Sequence, residues 1–289
     1  MFHVEHKKKE MKKVICSAKD YLVSGKTFSI VWDSSTQYAH TYPRPKANQI
    51  DSYYASKDYI SHNDSNKSFL STAYRVARNL MFVVKFKMFK DLIPPHGKVL
   101  DYGCGTGDFL KYLTNKKIKG QGVETNAYAR DQCEQKSLEV FSSWGKLSNA
   151  KYDMITFWHV LEHVSDLDEC FQSICNYLKK KGTLLIAVPN LNSFDAKFYK
   201  EYWAAYDVPR HLWHFSEEGI KRLVEPFGFE LTRKHPLLLD ALYIACISEK
   251  HKGSRLPILR GLFRGLQSNI RAYSSGEYSS LVYVFKNTN

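Results

Sequence analysis

No apolar run in the 289 residues approaches the roughly 20 that a membrane-spanning helix needs. The first 13 residues are rich in lysine and poor in apolar side chains, so they do not read as a secretory leader. Six cysteines are present, but none form a C-x-x-C pair or a disulfide framework, which fits free thiols in a reducing compartment. The expected address is therefore the cytoplasm. Acids are scarce relative to bases, 29 against 42, for a net charge of +13. With 44% hydrophobic and 25% charged residues the composition is that of a globular protein, which excludes collagen-like and largely disordered chains. The length allows one large α/β domain, or a core domain with a small appendage.

The excess charge is uneven. Residues 1–20 carry a net +3 and residues 250–289 a net +6, leaving little for the middle. Basic ends can attract nucleic acid, anionic lipid or acidic substrates, or can simply keep the surface solvated. Along the chain, short β-like runs separated by Ser24-Gly25 suggest a small β-rich module over residues 1–45, closed by Pro43-Arg44-Pro45. Helical spacing from Ser68 to Leu92 follows, stopped by Pro94-Pro95, so residues 46–95 read as a lid segment and a lead-in helix. From residue 96 to 289 strands alternate with helices, which predicts an α/β domain with a mostly parallel sheet covered on both faces. A helical insertion is expected at about 239–275.

The richest stretch is Val99-Leu100-Asp101-Tyr102-Gly103-Cys104-Gly105-Thr106-Gly107, a strand running through alternating glycines into a helix. Such a turn lets a ligand approach backbone closely. Dinucleotide sites use G-x-G-x-x-G, whereas this spacing is G-x-G-x-G, with Asp101 two residues before the first glycine. A carboxylate there repels a pyrophosphate and attracts an ammonium or sulfonium. Glu124, at the tip of the next strand, can accept both hydroxyls of a ribose. Together the two acids favour S-adenosylmethionine over a nicotinamide cofactor.

Four motifs in order, V-L-D-Y-G-C-G-T-G at 99–107, G-V-E-T-N at 122–126, Y-D-M-I-T-F-W-H-V-L-E-H-V at 152–164 and L-K-K-K-G-T-L-L-I-A-V-P-N at 178–190, resemble the class I S-adenosylmethionine-dependent methyltransferases. That resemblance implies a seven-stranded Rossmann-like sheet with its last strand, near Ser279–Phe285, antiparallel. It also implies a cofactor set of Asp101, Gly103, Cys104, Gly105, Gly107, Glu124, Thr125, Asn126, Phe157, Trp158 and His159, with Tyr59 from the lid. The family often has a further acid after the third strand for adenine, where this chain has Phe141-Ser142-Ser143-Trp144.

A hydroxyl or acidic carbon acceptor needs a base near the carboxyl ends of the strands. Histidine suits that task near neutral pH. The segment Tyr206-Asp207-Val208-Pro209-Arg210-His211-Leu212-Trp213-His214-Phe215-Ser216 reads as turn-rich and too polar for a core. It resembles the H-L-x-[YH]-F-S segment of sugar C-methyltransferases, which implies His211 as base; His214, Arg210 and Tyr206 complete the catalytic candidates. His159, Glu162 and His163 resemble the metal-holding E-x-x-E-H of quinone-pathway O-methyltransferases, but with a histidine in place of the first glutamate, and no metal is expected.

The N-terminal module resembles the zinc ribbon that precedes some bacterial methyltransferase domains. Its second ligand pair falls on Asp33 and Thr36 and its first on His3 and His6, so the ribbon is degenerate and no zinc is expected. Tyr59 and His62 lie in a segment that resembles the lid of such enzymes. In the insertion, Leu259, Leu262, Phe263, Leu266 and Ile270 form one helical stripe about 120° from Arg260, Arg264 and Arg271. Packing of that stripe against the sheet is expected, with an anionic acceptor or a membrane as the alternative. The reading is a methyltransferase of a small molecule, by O-methylation or at a sugar carbon, with an anionic or lipid-linked acceptor left open. The competing reading is a nucleic-acid methyltransferase using the basic ends. It is disfavoured because Phe157-Trp158-His159-Val160 stands where [DNS]-P-P-[YFW] is common, and no nucleic-acid partner is expected.

Overall fold

The computed structural model describes residues 12–54, 81–148 and 150–288. The chain divides into two compact units, one built from the N-terminal part to Tyr54, Pro189–Leu223 and Leu238–Ser279, the other from Ala55–Val188, Val224–Leu237 and Ser280–Asn289. His3, His6, Tyr59 and His62, and the lead-in helix before residue 81, lie outside the described residues.

The second unit holds a seven-stranded sheet in the order β10-β11-β8-β7-β4-β5-β6. Its strands are β4 (Lys98–Tyr102), β5 (Lys119–Val123), β6 (Val140–Phe141), β7 (Tyr152–Trp158), β8 (Leu178–Pro189), β10 (Phe229–Pro236) and β11 (Ser280–Asn287). Strands β4 to β7 pair in parallel with their neighbours, as does β8 with β7, while β11 runs antiparallel to β10. This is the expected architecture, with its last strand reversed. The central strands are apolar on both faces because helices cover both: Val99, Leu100, Met154, Ile155, Leu184 and Leu185 are fully buried. Helix Asp108–Asn115 turns Phe109, Leu110 and Leu113 inward, as its 3.6-residue periodicity requires. Strand order reverses between β4 and β7, so the carboxyl ends of those two strands open the crevice in which such sheets bind ligands.

The first unit holds a four-stranded antiparallel sheet, β1 (Lys12–Lys19), β2 (Thr27–Asp33), β3 (Tyr38–Tyr42) and β9 (Trp213–Phe215). Its fourth strand comes from the segment that reads in sequence as turn-rich and too polar for a core. Residues 213–215 of that segment pair with β3, His214 opposite Ala39, and its Arg210, His214 and Ser216 are buried because each finds a partner. Two helices, Leu238–His251 and Pro257–Ser275, form a hairpin in the same unit. Among the described residues, no helix is long and apolar enough to cross a membrane.

Candidate active site

The turn after β4 is shaped by its glycines. Gly103, Gly105 and Gly107 all have positive φ. A Cβ on Gly103 would lie 2.4 Å from Val160 Cγ2, so that position also needs glycine for space. At Gly105 the reason differs: φ is +54° and nothing lies within 4 Å of where a Cβ would stand, so the middle of the turn faces open room. From beneath, Cys133 donates its thiol to the Gly105 carbonyl (3.2 Å), and Lys136 donates to the Thr106 carbonyl (2.6 Å) while pairing with Asp108.

Two carboxylates border this turn. Asp101 is almost fully buried and accepts a hydrogen bond from the Thr156 hydroxyl at 2.7 Å. Burial pushes its pKa up to about 6, against the pull of the Thr156 bond and the Lys85 charge. Lys85, from the helical residues 81–89, stands 4.2 Å from the Trp158 ring centre. Glu124 accepts the Gly105 N–H at Oε2 (2.9 Å) and the Asn126 N–H at Oε1 (2.8 Å). Asn126 caps the helix Ala127–Gln135 by accepting the Ala129 N–H, and Thr125 is exposed beside it.

Beyond β6, where the family often has an acid and this chain has Phe141-Ser142-Ser143-Trp144, an aromatic cluster stands. Tyr102 stacks against Trp144 (4.6 Å) and Phe157 (4.9 Å), and Tyr177 also stacks against Trp144 (5.7 Å). Sequence reasoning missed this group, although an aromatic at 102 inside the glycine motif and another at 144 were visible signals. At the end of β7, Phe157 is fully buried and Trp158 half-buried, its Nε1 inaccessible to solvent and without an acceptor among the described residues. His159 follows at φ +57°, with Nδ1 3.5 Å from buried Glu162. Asp101, the three glycines, Cys104, Glu124, Phe157, Trp158 and His159 thus gather at or just beneath the carboxyl ends of β4, β5 and β7.

The four catalytic candidates belong to the other unit. Three of them are interior groups. Arg210 is 1% exposed, donates to both carboxylate oxygens of Asp207 and to the Tyr53 carbonyl, and pairs with Asp20 at 3.2 Å. Tyr206 is packed edge-on against both Trp203 and His214. His214 is buried against the Thr41 hydroxyl (2.9 Å), and burial, reinforced by the nearby His211 and His40, holds its pKa well below the usual histidine value. His211 is different, keeping an edge toward solvent with its side chain 12% exposed. Its Nδ1 lies 2.8 Å from the Ala205 carbonyl, which can only accept, so Nδ1 carries a proton. Asp207 Oδ2 is 3.9 Å from Nε2.

A glycine turn, a buried acid and a second acid at a strand switch point are the marks of a methyltransferase domain, and the chain belongs to the methyltransferase domain family, which matches residues 69–234. It is similar to the ubiquinone biosynthesis O-methyltransferase of Coxiella burnetii, 25% identical over 205 residues that cover 60% of this chain and 86% of that protein. In fold it resembles the magnesium protoporphyrin IX methyltransferase of Synechocystis PCC 6803, solved with bound SAH (TM-score 0.52, 14% identity, 84% of this chain and all of that one). It also resembles a putative sarcosine dimethylglycine methyltransferase of Galdieria sulphuraria (TM-score 0.50, 16% identity, 74% and 86%).

Proposed function

We propose that the protein transfers a methyl group from S-adenosylmethionine to a hydroxyl of a small molecule, with His211 as general base. The observation that carries the donor half is a buried carboxylate, Asp101, beside a glycine turn whose middle position stands open. The residues fit this cofactor. Asp101 would attract the ammonium at the methionine end, a charge that compensates for keeping a carboxylate ionised in the interior. Each Glu124 oxygen accepts one backbone N–H and retains lone-pair capacity for a ribose hydroxyl. The cluster of Tyr102, Trp144 and Phe157 offers an apolar aromatic border for adenine where the family's acid is missing. The buried Trp158 Nε1 is a donor that a ligand acceptor would satisfy.

The cofactor supplies an electrophilic methyl on a sulfonium sulfur. His211 Nε2 would take the proton of the acceptor hydroxyl, with Asp207 Oδ2 3.9 Å from that nitrogen. The Ala205 carbonyl holds a proton on Nδ1, which makes Nε2 the nitrogen assigned to accept. The similarity to an O-methyltransferase of ubiquinone biosynthesis supports a hydroxylated, lipid-linked acceptor. We read β1–β3 as a ribbon-like remnant, and Asp33, bonded to the Ser35 hydroxyl and N–H, as a turn residue in place of a metal ligand.

The test is transfer of label from methyl-tritiated S-adenosylmethionine to an isoprenyl catechol. Labelled methyl ether is expected with the native protein, and at least a hundredfold less with His211→Ala. No transfer to hydroxylated acceptors, with cofactor binding intact, would overturn the hydroxyl assignment.

A further inference from the structure

The helix Pro257–Ser275 packs in the orientation opposite to that expected from its sequence. Gly261, Gly265, Ser268 and Ala272 are its buried face, and its partner is the helix Leu238–His251. A Cβ on Gly261 would lie 2.4 Å from Cys246 Cα, and one on Gly265 2.7 Å from the Ala241 carbonyl oxygen, so the two backbones are in close contact along this face. The roll of the helix is fixed further by Ser268, which donates to buried Asp195 (2.9 Å), and by Asn269, which donates to the Leu238 carbonyl (3.0 Å). The apolar stripe therefore points outward. Leu259 is 65% exposed, Phe263 63% and Ile270 73%, with Leu262, Leu266 and Tyr273 between and beyond them. Six large apolar side chains between Leu259 and Tyr273, along about 21 Å of helix, form a patch of the kind that marks an interaction surface.

The charge beside the stripe decides among occupants. Pro257–Ser275 contains three arginines and no acid. Arg264 is stacked on Phe198 and Arg271 on Phe194, each 4.4 Å from the ring centre, which holds both guanidiniums along one border of the stripe, and exposed Arg260 continues the row. Arg255 and Lys252 stand at the preceding turn. A second copy docked by two-fold symmetry on this helix would bring arginines toward arginines with no acid of the helix to meet them. A nucleic acid would answer the charge and leave the leucines in water. An anionic bilayer answers both, with acyl chains for the stripe and phosphates for the arginines.

We infer that this helical hairpin docks the protein on the surface of an anionic phospholipid bilayer, with Pro257–Ser275 lying in the plane of the interface. Because the arginine row meets the lipid phosphates, the attachment is salt-sensitive. Docking does not require the methyl-transfer reading, since its readout is lipid binding alone.

The test is flotation of the full-length protein with vesicles of phosphatidylglycerol and phosphatidylcholine in equal parts, against phosphatidylcholine alone, at low and high salt. Binding is expected to the anionic vesicles, weaker at high salt, and weak to phosphatidylcholine. The variant L259S/F263S/I270S, whose side chains are all exposed, should lose binding at least tenfold while keeping its circular dichroism and its affinity for S-adenosylhomocysteine. Arg260→Gln should lose roughly fivefold on anionic vesicles only. Absence of binding to anionic vesicles, or binding unchanged in the triple variant, overturns the inference. So does a dimer in analytical ultracentrifugation that the triple variant abolishes.

Discussion

The Gly105 N–H donates to Glu124 Oε2 across 2.9 Å, so the turn after β4 and the acid after β5 are tied into one assembly. The second oxygen of the same carboxylate holds the Asn126 N–H at the start of the next helix. Glu124 thus positions the loop, and the proposed function assigns the same two oxygens to the ribose. Glu124→Gln places an amide where two N–H donors now meet a carboxylate. With charge-assisted bonds contributing about 1.5–3 kcal/mol, affinity for S-adenosylhomocysteine should fall roughly tenfold to a hundredfold. Calorimetric titration of the variant checks this, and an unchanged affinity would remove Glu124 from the site.

Asp101 should show the opposite balance between stability and binding. Its folded pKa of about 6 lies above the ordinary carboxylate value, so the native state favours the protonated form. Its contribution to stability is therefore fully present at low pH and is lost as pH rises through about 6. Asp101→Asn can still accept the Thr156 hydroxyl. It should raise the melting temperature of the ligand-free protein at pH 7.5 by a few degrees, corresponding to about 1–3 kcal/mol. The same variant should bind S-adenosylmethionine at least tenfold more weakly. Affinity of the native protein should also decline as pH falls below about 6, where Asp101 takes up a proton. Thermal melts and titrations across pH 5 to 8 measure both.

His211 and Arg210 are adjacent in sequence and should separate in experiment. His211→Ala is expected to lower kcat by about a hundredfold to ten-thousandfold, with cofactor affinity changed less than twofold. A loss of cofactor affinity with kcat preserved would contradict its assignment as base.

Arg210→Met should instead unfold the protein at lower denaturant. It removes the buried partner of Asp20 and Asp207, and breaking such a pair costs about 3–5 kcal/mol. Burial works to raise the Asp20 pKa, but the Ser24 N–H and hydroxyl, the Arg210 charge and the Leu22 N–H outweigh it, and the net shift is downward. A carboxyl depressed on folding stabilises above its unfolded pKa, and that stability is lost as pH falls through its folded pKa. The acid limb of stability should therefore flatten in Asp20→Asn. Urea titrations of both variants at pH 7 and pH 3.5 test the pair.

The donor half of the site was legible because its information is local. Asp101, the three glycines and Glu124 are placed by β4, the turn after it and the end of β5, all written in short stretches of sequence. The acceptor half was less so. His214 and Arg210 look functional as polar residues between aromatics, yet β9 pairs with β3, and partners as distant as Asp20, Thr41 and Tyr53 make them interior groups. No spacing within 206–216 encodes those contacts. The helix Pro257–Ser275 misled for a related reason. Its leucine stripe has the periodicity of a buried face, but Gly261 and Gly265 allow a backbone approach that larger residues forbid, and the close-packed face is the one with the small side chains. The net +6 of the last 40 residues gains its meaning only once that roll is known.

The most direct test of the central claim is calorimetric titration of the full-length protein with S-adenosylhomocysteine at pH 7.5. One site per chain with a micromolar dissociation constant is predicted, weakened at least tenfold by Asp101→Asn. No measurable binding by a folded native protein would contradict the assignment of this chain as an S-adenosylmethionine-dependent enzyme.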